Sequence, residues 1–330
     1  MENIKTKSIT ETAIITGIIV LMSILGSYIP FLLILVMIVL PILTAIIYYR
    51  NGLKYSLIST IISLILNCII IDFISSITIA LCCGIVGLTL GYCISSGKKG
   101  TRTLLLLFIA FITFYLADMW IMGILIGIYN PIKLIINQAS ELSSIFMNII
   151  EEAKVSAEAL GAVASDVEVF EYLKMMFSKE MLIAIMPSTL IFMSFIQSYI
   201  CFAIFEYYMK RINKKYIGKL DLSEVYISNL LGAALIAALS ICIILINKGV
   251  GGVDVVYTFI MTITKLVLCI NGICAIEYYL KRKVGVPKFP RLIIIVVTFV
   301  LSSGLIYSFI GFGEMLLDFR KLDPHRLRKA

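Results

Sequence analysis

Few residues in this chain could carry bond-making chemistry, and their absence is informative. There is one histidine, His325, close to the C-terminus. An H-E-x-x-H zinc site is therefore ruled out, and so is a Ser-His-Asp or Cys-His centre within the apolar body of the chain. Glu151-Glu152 forms an acidic pair, but the histidines that would make it a metal-dependent protease site are missing. Neither G-x-x-x-x-G-K-[ST] nor G-x-G-x-x-G occurs, so neither nucleotide-phosphate cradle is present. The eight cysteines are Cys68, Cys82, Cys83, Cys93, Cys201, Cys242, Cys269 and Cys274, with no C-x-x-C among them. They read as small apolar packing residues rather than a metal or disulfide framework. The expectation is a protein that is not an enzyme and that carries no cofactor and no metal.

What remains is a handful of polar groups inside apolar runs. A charge at mid-membrane costs about 2.5–3.5 kcal/mol on insertion scales, so it is paired or lines a cavity. Lys265 and Asp118 each lie roughly 15 Å from the outer end of their own run, from the helical rise per residue. They could pair directly, or line a polar pocket with Asn67, Asp72, Trp120, Gln197 and Asn271. A buried ion pair without a ligand is the alternative. Glu206 and Glu277 lie near the inner interface and read as snorkelling anchors.

The elements that hold these groups follow from composition. The chain has 330 residues, of which 61% are hydrophobic and only 15% charged. Soluble domains are about a quarter charged, so a cytosolic enzyme, a nucleic-acid-binding domain and a disordered chain are excluded despite the net charge of +8. Crossing an apolar layer of about 30 Å takes about 20 apolar residues in a helix. Nine runs qualify: 10–29, 31–49, 53–71, 73–95, 103–128, 181–208, 224–247, 255–280 and 291–311. No period-2 alternation supports a β-barrel. The fold class is all-α, a polytopic transmembrane bundle of about nine spans, or eight if the last run is re-entrant. The first run follows Lys5 and Lys7 but has no A-x-A pattern after it, so it reads as a retained span.

Loop charge sets the expected orientation. One set of connections carries Lys5, Lys7, Arg50, Lys54, Lys98, Lys99, Arg102, Lys210, Arg211, Lys214, Lys215, Lys219, Lys281, Arg282, Lys283, Lys288 and Arg291, more than half of the 28 basic residues. The opposite set carries Lys133, Lys154, Lys174, Lys179 and Lys248. The positive-inside rule puts the N-terminus in the cytoplasm. Nine spans would then leave the basic residues Arg320, Lys321, Arg326, Arg328 and Lys329 outside, against the rule.

Residues 129–180 are the one long polar stretch, with eight acids against four lysines. Asn130-Pro131 opens a helix, and Ile132, Ile135, Ile136, Ala139, Leu142, Phe146, Ile149 and Ile150 recur on one face. A second helix after Asp166 carries Val169, Phe170, Leu173 and Phe177. These outer amphipathic helices either lie on the membrane or form a lid over an outward cavity. Small-x-x-x-small pairs permit close helix approach at Ala13/Gly17, Gly87/Gly91, Gly123/Gly127 and Ala233/Ala237.

The opening Thr10-Glu11-Thr12-Ala13-Ile14-Ile15-Thr16-Gly17 resembles the start of S components of energy-coupling-factor (ECF) transporters, the vitamin-binding membrane subunits of bacteria. Pro41, the stretch Tyr49-Arg50-Asn51-Gly52-Leu53-Lys54-Tyr55 and the turn Gly97-Lys98-Lys99 fit the same pattern. Over its whole length the chain resembles the uncharacterised YybS-type multi-pass family of low-GC Gram-positive bacteria. That resemblance rests on Gly91-Tyr92, Asn130-Pro131, Asn271-Gly272 leading to Tyr279-Leu280-Lys281-Arg282, and Asp318-Phe319-Arg320-Lys321-Leu322. The two resemblances together imply a bacterial plasma-membrane protein with an S-component-like six-span half at 1–211, including the outer loop 130–180, and a three-span extension at 212–330. They further imply binding or transport of a small molecule, with energy from a transmembrane coupling subunit and ATPases, and helix docking through Ala13 and Gly17. The long outer helices and extra spans depart from S components. A non-transporting envelope scaffold and an ion-coupled secondary transporter are the competing readings.

Overall fold

A computed structural model describes residues 2–159, 164–212, 223, 225, 227–250, 253–302 and 304–322. His325, Arg326, Arg328, Lys329, Lys214, Lys215 and Lys219 lie outside the described residues. The described chain is helical throughout, with no strand. Its helices are α1 (Glu2–Tyr28), α2 (Pro30–Asn51), α3 (Leu53–Ile70), α4 (Phe73–Leu81), α5 (Leu88–Ser95), α6 (Gly100–Ile126), α7 (Pro131–Ala159), α8 (Ala164–Met176), α9 (Lys179–Ile212), α10 (Asn229–Asn247), α11 (Val253–Arg282), α12 (Lys288–Leu301) and α13 (Leu305–Leu317). A π-helical stretch, Cys82–Gly87, joins α4 to α5.

Eight helices among the described residues are long and apolar enough to cross a bilayer. They correspond to the first eight apolar runs of the sequence. The ninth run does not cross as one helix. Gly304 adopts the left-handed region (φ +74°), and its N–H returns to the Phe299 carbonyl at 3.1 Å, ending α12. The run becomes two short helices.

Two compact units are present, Met1–Gly127 with Phe192–Asp221, and Ile128–Ile191 with Leu222–Ala330. The first holds α1–α6 and the second half of α9. Its hydrophobic centre brings Ile38, Ile42 and Ile46 of α2 together with Leu90 and Ile94 of α5, Phe111 and Phe114 of α6, and Phe202, Phe205 and Met209 of α9. Pro41 lacks an N–H, so the Met37 carbonyl one turn back has no helical donor. The Cys82 thiol supplies one at 3.5 Å. Gly87 and Gly91 let α2 approach closely. A Cβ on Gly91 would stand 2.5 Å from the Tyr48 Cβ, and one on Gly87 2.7 Å from the Thr44 Cβ.

Helix α3 is inverted relative to a soluble helix. Its buried residues are Ser56, Ser59, Ser63 and Asn67. Leu57, Ile58, Ile61, Ile62, Ile65, Leu66 and Ile69 are all exposed. This distribution is stable only where the surroundings are apolar and polar groups must find partners within the chain. Thr16 and Ser59 meet at 2.7 Å, the Ser56 hydroxyl donates to the Thr44 carbonyl at 3.1 Å, and the Asn51 amide reaches Thr12 Oγ1 at 3.1 Å.

In the second unit α12 and α13 form a hairpin against α11. Near the hairpin's entry, Arg291 Nε pairs with Glu277 Oε1 at 2.9 Å. At its turn, a Cβ on Gly304 would lie 3.5 Å from Cys269 Sγ, halfway along α11. Thus α12 runs in beside the final turns of α11, and α13 runs out again toward the same end. α13 touches α11 backbone to backbone: a Cβ on Gly272 would fall 1.9 Å from the Tyr307 carbonyl oxygen.

Outside the spans, α7 is the long helix that Asn130-Pro131 announces. Its buried line is Leu134, Ala139, Ser143 and Ile150, whereas Leu142 and Ile149 of the expected face are exposed. The shift arises because the end of α8 clamps α7. Phe146 stacks on Phe177 at 4.2 Å, and the Ser143 hydroxyl donates to the Phe177 carbonyl at 2.8 Å. Phe170 and Leu173 are half-buried, but Val169 is 56% exposed.

Candidate functional site

In the first unit, α6 carries two polar groups one turn apart. Asp118 Oδ1 accepts from the Thr78 hydroxyl of α4 at 2.5 Å. The Tyr115 hydroxyl donates to Gln197 Oε1 of α9 at 2.7 Å. Phe108 and Phe195 meet edge to face at 6.1 Å between the same two helices. Asp118 and Gln197, singled out in the sequence, thus tie α6 to α4 and to α9. Each uses a neutral partner, and both bonds are partly buried.

Asn67 is fully buried, and neither atom of its amide has a hydrogen-bond partner. Leaving a buried polar group unpaired costs about 1–3 kcal/mol. Asp72 has a different role. It is exposed and caps α4, accepting the Ser75 backbone N–H at 2.8 Å. That bond holds its carboxyl below the ordinary carboxylate value. Trp120 is 61% exposed on α6 and faces the surroundings.

In the second unit Lys265 is exposed, and its carbonyl receives the Ser308 hydroxyl at 3.3 Å. Asn271 is 2% exposed and doubly engaged. Its amide nitrogen donates to the Gly311 carbonyl at 2.9 Å, and its oxygen accepts from Arg320 Nη2 at 3.0 Å. Arg320 is the hub. Its Nε donates to Glu314 Oε1 at 2.7 Å, and its Nη1 donates to the Val225 carbonyl at 2.8 Å. It reaches inward because Asp318 and Lys321 take left-handed φ values of 45° and 54°, folding the chain back after α13. One arginine therefore binds α13, α11 and the segment before α10.

Sequence reasoning placed Arg320 in a basic tail and passed over Glu314. The available signal was a lone carboxylate in the apolar stretch Leu305–Leu317, since such a group demands a partner. Glu206 and Glu277, read from the sequence as anchors near the inner interface, are each ion-paired. Glu206 is 5% exposed and meets Lys210 Nζ at 2.5 Å, and Glu277 holds Arg291. The eight cysteines are free, and all but Cys68 are buried. Among the described residues no group of His, Cys, Asp and Glu could hold a metal ion.

The small-residue pairs divide. Gly87 and Gly91 are used internally against α2, Gly123 is buried, and Gly127 ends α6 with φ +81°. Ala13 and Gly17 lie on the exposed face of α1, and a Cβ on Gly17 would meet nothing within 4 Å. Ala233 and Ala237 are likewise exposed on α10.

Inverted α3, eight bilayer-length apolar helices and neutral interior hydrogen bonds define a polytopic helical membrane protein that lives in a lipid bilayer. The chain belongs to the family described as Predicted membrane protein (DUF2232), which it matches over residues 17–314. No curated protein and no solved structure matches it.

Proposed function

We propose that this chain is the small-molecule-binding subunit of a bacterial plasma-membrane transport system, similar to an ECF S component and energised by separate subunits. The carrying observation is a compact six-span unit whose first helix leaves Ala13 and Gly17 uncovered while Gly87 and Gly91 of the same unit are buried against α2. Such a surface lets a partner helix approach closely in lipid, where packing rather than hydrophobicity drives association. The chain itself performs no catalysis. The N-terminus is cytoplasmic. The α12–α13 hairpin turns the chain back toward the end of α11 that carries Lys281 and Arg282, the basic side expected in the cytoplasm.

The test is co-purification. Ala13→Leu with Gly17→Leu should leave the melting temperature of the isolated chain unchanged and abolish recovery of a transmembrane coupling subunit with its ATPases. Retention of those partners by the double variant would refute the reading. A second reading, an envelope scaffold, draws on the exposed apolar residues Ile145, Ile149, Val155, Tyr172 and Met175 of α7 and α8. It requires that deletion of 130–180 release an outer partner while Ala13→Leu/Gly17→Leu does not.

A further inference from the structure

Asn67 stands at one end of the polar stripe of α3; helical spacing sets Ser23 and Ser76 at its level and Ser63 one turn away. Thr16 and Ser59 meet at 2.7 Å where α1 and α3 run side by side in the same direction. Two turns further along each helix come Ser23 and Asn67, both fully buried. On the other side, α3 and α4 form a tight antiparallel pair closed at Ile71-Asp72. Thr60 lies opposite Gly84, with 3.9 Å between its methyl group and a Cβ built there. Two turns toward the closure on each helix of that pair come Asn67 and Ser76, and Ser76 is fully buried. Ser63, one turn below Asn67 on the same face, is fully buried too.

The chemistry of this level is specific. The hydroxyls of Ser23, Ser63 and Ser76 each donate to a carbonyl of their own helix, Ile19, Thr60 and Asp72. Their remaining capacity is to accept. The Asn67 amide offers an NH2 donor group and a carbonyl acceptor side by side, both unpartnered. No charged side chain belongs to the stripe. A bare cation would satisfy the oxygens and leave the amide N–H unpaired. A carboxylate would satisfy the N–H and repel the oxygens. A neutral amide or imide edge satisfies both positions and gives its further N–H groups to the serines.

We propose that Asn67, with Ser23, Ser63 and Ser76, is a recognition site for an uncharged ligand bearing an amide or imide edge, taken up between α1, α3 and α4 when these helices part. The site lies one turn from the Ile71-Asp72 turn, so the path to the membrane surface is short. This deepens the transport reading by naming the ligand class, and it rests on that reading for its purpose but not for its test.

The purified chain alone, without partner subunits, is melted in detergent with uracil or nicotinamide. The controls are 1,3-dimethyluracil, which lacks the imide donor, and sodium chloride at matched concentration. Uracil or nicotinamide should raise the melting temperature, and both controls should not. Asn67→Leu should fold, and its apparent affinity for the active probe should fall at least tenfold. Ser76→Ala serves as a second variant with a smaller loss if the first fails to fold. The site is refuted by no response to either amide probe, by an equal response to 1,3-dimethyluracil or sodium, or by an undiminished response in the folded variants. Co-purification of a coupling subunit without any probe response would sink this site and leave the docking proposal standing. A probe response without co-purification would do the reverse.

Discussion

Replacing Gly311 by Ala should destabilise the second unit, whereas the same change two residues on, at Gly313, should not. A Cβ at 311 falls 1.8 Å from the Leu268 carbonyl oxygen and 2.8 Å from the Gly272 nitrogen, both backbone atoms of α11. A side chain could rotate away, but backbone cannot. Ordinary contact between heavy atoms is about 3.5 Å, so α13 must retreat from α11 by about 1.7 Å. Overpacking of this kind costs about 1–3 kcal/mol. The retreat also stretches the 2.9 Å bond from Asn271 to the Gly311 carbonyl, worth about 1 kcal/mol. The expected loss is about 3 kcal/mol. Gly313 has nothing within 4 Å of its Cβ, so Ala there only improves helix propensity, by up to about 1 kcal/mol. Thermal melting of the two variants in the same detergent, read as loss of monodisperse protein, makes the comparison. Equal melting temperatures, or a Gly311→Ala chain as stable as the parent, would refute backbone contact between α11 and α13.

Arg320→Met should cost about 3–5 kcal/mol by stranding the buried Glu314 carboxylate, and adding Glu314→Leu should recover most of it. A double-mutant cycle in which the two losses simply add would show that the pair does not interact. Reporter fusions after residue 322 and at the N-terminus should report the same side of the membrane, because α12 and α13 enter and leave together. Opposite signals would restore a ninth crossing. Asp72→Asn should keep the α4 cap but remove its pH dependence. The depressed carboxyl of Asp72 contributes stability above the ordinary carboxylate range, and that contribution is lost as pH falls through its lowered value. Identical acid-melting profiles for parent and variant would count against the cap.

The eight crossing helices were legible because a bilayer demands length and apolarity, and both are written in consecutive residues. Asn67 and the lone Asp118 were equally visible, since a polar residue in an apolar run needs no third dimension to be noticed, whereas Ser56, Ser59 and Ser63, which share the buried face of α3 with Asn67, were passed over. Their partners were not visible. Thr78 for Asp118, Tyr115 for Gln197 and Arg320 for Asn271 lie 40, 82 and 49 residues away in the chain. The ninth apolar run shows the limit most clearly. Its composition suits a span, yet one left-handed glycine and a backbone-to-backbone seat on α11 turn it into a hairpin. Local composition governs which segments enter lipid. Which of them cross, and which polar group meets which, depends on helix-to-helix contact, and that information exists only once the chain has folded.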